Sequence, residues 1–196
     1  MRIPLLAIVV LWTSGTLPVA HAAPITYTMS GVFSGSIGAT SFTDTAATFT
    51  FVGDTSATAS LGAGFYTNTA GVSTITLAGL GTATFLSTTF GAESQFDGAG
   101  FYDIANGFGV SIYDPALGSY ALTPSFSDTA SLERSFAAGF GTTESTSMGE
   151  LLLDGNDGSP ATFTASQAVT TPEPGSFAML ATGLLGVTCV LRRRLV

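Results

Sequence analysis

Between Ala23 and Thr170 apolar and small polar residues alternate, the period-2 pattern of strands buried on one face. Ala47-Thr-Phe-Thr-Phe-Val52 is the clearest case: Thr48 and Thr50 fall on one face, Phe49 and Phe51 on the other. The same reading places strands at Ile25–Phe33, Val72–Ala78 and Thr82–Thr88, the last two separated by Gly79-Leu80-Gly81 as a hairpin or tight corner. Phe101–Ile104 and Phe108–Tyr113 flank Ala105-Asn106-Gly107, which has Asn-Gly turn chemistry. Glu150–Leu153 and Ala161–Ala165 flank a longer turn, Asp154-Gly-Asn-Asp-Gly-Ser159. Ser131–Ala138 fits either one helical turn or a strand. Many short strands separated by turn residues predict an all-β domain, an antiparallel β-sandwich or jelly-roll-like fold with a barrel as a variant. Ser41-Phe-Thr-Asp-Thr-Ala46 returns as Ser125-Phe-Ser-Asp-Thr-Ala130, but the flanks do not align, and chance repetition in a Thr/Ser/Ala-rich chain explains it best.

Two stretches break the alternation. Near the start, Arg2 precedes an apolar run, Ile3–Trp12, interrupted only by Pro4. Ala20-His21-Ala22 then supplies a small-x-small cleavage site, so residues 1–22 read as a secretory signal peptide. Cleavage after Ala22 leaves Ala23 first; cleavage after Ala23 is disfavoured by Pro24. The second stretch, residues 171–196, holds Pro172-Glu173-Pro174, an uncharged run from Phe177 to Leu191, and Arg192-Arg193-Arg194. Its 15 residues span about 22 Å as a helix, short of a bilayer core of about 30 Å. Gly175, Ser176 and snorkelling arginine stems extend the reach, giving a transmembrane helix over 175–191. The arginines belong on the cytoplasmic side of the inner membrane.

Composition changes the picture once these segments are set aside. The only Trp, His and Cys of the chain (Trp12, His21 and Cys189) lie in them, and there is no lysine anywhere. Residues 23–170 carry twelve acids against one base, Arg134, a formal charge of −11. Such a surface repels nucleic acid and anionic lipid. Without His, Cys or Lys the domain has no Ser-His-Asp or Cys-His catalysis, no ordinary zinc site and no Schiff base. It also has no disulfide, so packing and sheet hydrogen bonds must hold it together.

Pro172-Glu173-Pro174, the apolar segment with Gly183-Leu184-Leu185-Gly186, and the three arginines together resemble a PEP-CTERM sorting signal. That resemblance implies an exported protein of an exopolysaccharide-producing, biofilm-forming Gram-negative bacterium. An exosortase in the membrane would cut it near the Pro-Glu-Pro, from a membrane-anchored precursor. Ala78-Gly-Leu-Gly-Thr-Ala-Thr-Phe85 resembles stretches of other β-rich PEP-CTERM passengers, a likeness that brings no activity with it.

Three constellations within the domain bear on chemistry. Asp154, Asn156 and Asp157 could offer oxygens to calcium, the one cofactor the chain suggests, although they lack EF-hand spacing and suit an ordinary turn better. Asp97, Asp103 and Asp114 stand near Phe96, Phe101, Tyr102 and Tyr113, where a glycosidase would need two convergent carboxylates. Phe65-Tyr66 with Tyr102 is a candidate sugar platform, though core packing is the better default for so many aromatic residues. No catalytic residue is expected. The reading that follows is a non-catalytic surface or extracellular-matrix protein with exosortase and extracellular polysaccharide as partners. The alternatives are a carbohydrate- or calcium-binding module and, more remotely, a carboxylate-dependent glycoside-active enzyme.

Overall fold

A computed structural model describes residues 23–134 and 142–168. They form an all-β, antiparallel structure: β1 (Pro24–Ile37), β2 (Thr40–Asp54), β3 (Ala59–Gly62), β4 (Phe65–Asn68), β5 (Val72–Leu77), β6 (Gly81–Thr84), β7 (Phe90–Gln95), β8 (Gly98–Asp103), β9 (Phe108–Tyr113), β10 (Phe126–Arg134), β11 (Thr143–Thr146), β12 (Gly149–Asn156) and β13 (Ala161–Gln167). Among the described residues no helix is long and apolar enough to cross a membrane. The cleavage residues Ala20 and Ala22, the Pro172–Pro174 motif, the expected helix over 175–191 and Arg192–Arg194 lie outside the described residues.

Hydrogen bonding runs in the order β3-β4-β7-β8-β9-β10-β13-β1-β2-β5-β6, and β10 is where this ribbon folds on itself. Residues 126–130 of β10 pair with β13, and residues 131–134 pair with β9. One strand thus belongs to two sheets: sheet A (β13, β1, β2, β5, β6, with β11 and β12) and sheet B (β3, β4, β7, β8, β9). A bridge between Phe85 and Thr146 links the end of β6 to β11, reinforced by Leu86 N–H to Ser145 O at 3.0 Å and Ser147 N–H to Thr84 O at 2.8 Å. That bridge closes β1, β2, β5, β6, β11 and β12 into a ring, so this part of sheet A has no free edge there.

The alternation in β1 persists over its whole length, with Ile25, Tyr27, Met29, Phe33 and Ile37 all buried. In β2 the parity changes between Phe42 and Ala47, both of which are buried. A bulge makes this possible: the register slips between Phe33 and Gly35, and Asp44 sits at φ 45° with its N–H on Ser34 Oγ at 3.0 Å. The two inner faces meet through aromatic rings. Phe49 of β2 lies 5.7 Å from Phe101 of β8, and Phe101 lies 6.5 Å from Phe163 of β13. Phe85 and Phe90 stack at 3.8 Å and 9°.

The Asp154–Ser159 segment does not reverse the chain, in contrast to the other expected turns. β12 and β13 both run antiparallel to β1, against its second and first halves respectively. Five residues, 157–161, stand opposite two, Gly31 and Val32, so the segment is a large bulge in one continuous line of pairing along β1. The two ends of the domain meet. Ala168 N–H donates to Pro24 O at 3.0 Å, and Ala23 exchanges bonds with Thr55 at 3.1 and 3.2 Å.

Phe49 is fully buried and touches the rings of Phe33, Phe85 and Phe101. Phe49→Ala should therefore cost about 3–5 kcal/mol in urea denaturation; a loss below about 1 kcal/mol would mean the rings do not hold the sheets together.

Candidate functional site

The outer face of sheet A is tiled with hydroxyls. Every second residue of its strands points away from the core, and across β10, β13, β1, β2, β5 and β6 two adjacent rows of those positions hold only Ser or Thr. One row across six strands reads Thr129, Thr162, Ser30, Thr48, Thr76, Thr82. The next reads Ser127, Thr164, Thr28, Thr50, Thr74, Thr84. Neighbours bond laterally: Ser30 to Thr48 at 3.0 Å, Thr76 to Thr82 at 2.8 Å and Thr129 to Thr162 at 2.8 Å. Each row spans about 24 Å, from five interstrand steps of about 4.8 Å. Neither row contains a charged or aromatic residue, although the domain around them is strongly acidic.

The acids expected to bear on catalysis fall into two groups. Asp97 occupies the β7–β8 turn at φ 66° and Asp114 accepts from Ala116 N–H at 2.7 Å, capping a short 3-10 turn. Asp103 lies at the other end of β8, about 20 Å away along the strand. Tyr66 packs against the core while Tyr102, paired with Gly91, faces outward, so Phe65-Tyr66 and Tyr102 do not make one platform. In the 154–159 segment the oxygens serve the local backbone. Asn156 Oδ1 accepts from Gly158 N–H at 2.9 Å, and Asp157 accepts from Ser159 N–H at 2.9 Å and Ser159 Oγ at 2.8 Å.

Asp103 does meet another carboxyl, one the sequence pattern did not single out. Glu144 of β11 is fully buried beside it, and Asn106 of the β8–β9 turn donates through Nδ2 to Glu144 Oε2 at 3.1 Å and to Asp103 Oδ2 at 3.4 Å. Thr89 Oγ1 and Ala105 N–H donate to Asp103 Oδ1. Burial works against the Asp103 carboxylate, but bonds from Ser87, Thr89 and the Ala105 amide, and with Glu144, outweigh it and hold its pKa below the ordinary value. Burial instead pushes Glu144 up to about 7, opposed by the Asn106 bond and helped by the Asp103 charge. Both residues have 0 % exposure, so the pair is an internal tie between sheets and not an open cleft. Thirty-eight residues separate Asn106 from Glu144, and nothing in the local pattern of Thr143-Glu-Ser-Thr146 announces the contact.

Glu93 is the other acid that pattern reading passed over. It stands on the outward face of β7 between Thr67 and Gly100, buried to 8 % exposure, and its Oε2 has no hydrogen-bond partner. Burial alone raises its pKa from 4.5 to about 7. Stability resting on neutral Glu93 is therefore complete below 4.5 and lost as pH rises through about 7. Glu93→Gln stays neutral throughout. Urea denaturation should find the variant level with wild type near about pH 5 and more stable by about 2 kcal/mol near about pH 8. An equal difference at both pH values would contradict this.

Comparison with curated proteins and with solved structures finds no match to the chain. A family model, the PEP-CTERM protein-sorting motif, matches residues 170–194, beginning three residues after the last residue of β13. The match covers the Pro-Glu-Pro, the apolar run and the arginines that carried the resemblance in the sequence. The chain thus carries a PEP-CTERM sorting motif, which makes it an exported protein that an exosortase processes.

Proposed function

We propose that the β domain is a non-catalytic component of the cell surface or extracellular matrix, held among neutral exopolysaccharide by the outer face of sheet A. In this reading the precursor sits in the inner membrane through a helix over 175–191, with Arg192–Arg194 on the cytoplasmic side, until the exosortase cuts near Pro172. The observation that carries the matrix role is the pair of hydroxyl rows. A single hydroxyl contact gains little, because water competes for the same bond. Twelve hydroxyls fixed on one rigid sheet act together on a polymer that repeats its own hydroxyls, and weak contacts then multiply. The absence of charge in these two rows fits a neutral polymer; an acidic surface would repel a uronate-rich one. The burial of Asp103 and Glu144 supports the non-catalytic part of the reading, since a substrate cannot reach carboxylates with no exposure.

Thr50→Glu with Thr76→Glu places two charges in the tiled face at solvent-facing positions, where folding should change by less than about 1 kcal/mol. The double variant should lose about tenfold in co-sedimentation with polysaccharide from the producing cells. Retention equal to wild type, with the melting temperature unchanged, would refute the matrix role of this face.

A further inference from the structure

We propose that Asp103, Asn106 and Glu144, with the Thr89 hydroxyl beside them, form a site for a hard divalent cation, calcium before others. The starting observation is a buried atom with nothing to bond. Glu144 has no exposed surface, and its Oε1 has no hydrogen-bond partner. Desolvating a carboxylate oxygen without a partner is costly, so such an atom marks a place where something is missing.

A cation that takes oxygen ligands meets that need. Two carboxyl groups share one small volume: they bond to each other, and Asn106 Nδ2 bonds to both. The sequence cannot supply much neutralising charge of its own: residues 23–170 contain no lysine or histidine and one arginine against twelve acids. With both carboxyls ionised, counter-charge for the pair comes from solution. The ligands on offer are all hard oxygens. Each carboxylate brings two, Thr89 brings a hydroxyl, and Asn106 brings its amide oxygen if the amide turns over, which exchanges Nδ2 and Oδ1 at nearly the same position. Calcium takes six to eight such oxygens in flexible geometry, water completing the set, whereas magnesium demands a stricter octahedron.

Among the described residues no group of three or more His, Cys, Asp or Glu comes together, so a donor set with only two carboxylates implies modest affinity, in the range of extracellular calcium modules. Access is through Asn106, which is exposed on the β8–β9 turn while the two acids are not. The cation would tie that turn of sheet B to β11 of sheet A. In a domain without cysteine this is a cross-link of the kind a disulfide supplies elsewhere. The inference stands apart from the polysaccharide reading, which concerns the opposite face of sheet A.

Thermal unfolding of the purified exported protein near about pH 8, with and without millimolar calcium chloride at matched ionic strength, tests it. The melting temperature should rise by about 3–6 °C with calcium. Glu144→Gln removes a ligand charge but keeps the side chain's shape and its bond from Asn106. This variant should fold, be at least as stable as wild type without calcium, and show less than a third of the calcium shift. A wild type that does not respond overturns the proposal. So does a shift of equal size in Glu144→Gln, which would mean that calcium only screens the acidic surface.

Discussion

Aromatic rings packed between the two sheets are the interaction on which everything else rests. Phe49, Phe85, Phe90, Phe101 and Phe163 touch in a chain that crosses from sheet A to sheet B. The domain has no disulfide to share this burden. Each ring buries a large apolar surface, and tilted or edge-on contacts add to that burial. With the sheets pressed together, the inward positions of the long strands of sheet A are committed to the core, and the outward ones are free to be polar. The threonine tiling of sheet A is the other side of the same constraint. The meeting of Asp103 with Glu144 also depends on it, because these residues come from different sheets.

Much of this was legible in the alternation of Thr with Phe. Thr48-Phe-Thr-Phe51 declares both its faces, and the glycine and Asn-Gly turns between β5 and β6 and between β8 and β9 stand where turn chemistry puts them. Strands whose pattern is polar or small escaped. β3 and β4 carry mostly exposed or half-buried residues, and β7 places Glu93 in the middle of a buried strand. Turn chemistry in Asp154–Ser159 is real, since Asn156 and Asp157 bond the following amides, yet it does not tell a hairpin from a bulge. That distinction is made by β1, which is long enough to hold β12 and β13 end to end. The Asp103–Glu144 pair was illegible for a similar reason: local pattern reports which face a residue takes, not which distant strand lies against it.

The positions of the ends connect fold to delivery. Ala23 and Ala168 are held close together by bonds to Thr55 and Pro24, so the first and last described residues of the domain lie side by side. The sorting motif starts within three residues of the last strand, leaving little linker between the folded body and the cut. The intact mass of the protein recovered outside the cell is the most direct test. The account predicts a single species starting at Ala23 and ending near Pro172, without Phe177–Leu191. A recovered protein that still carries the residues through Val196 would contradict it.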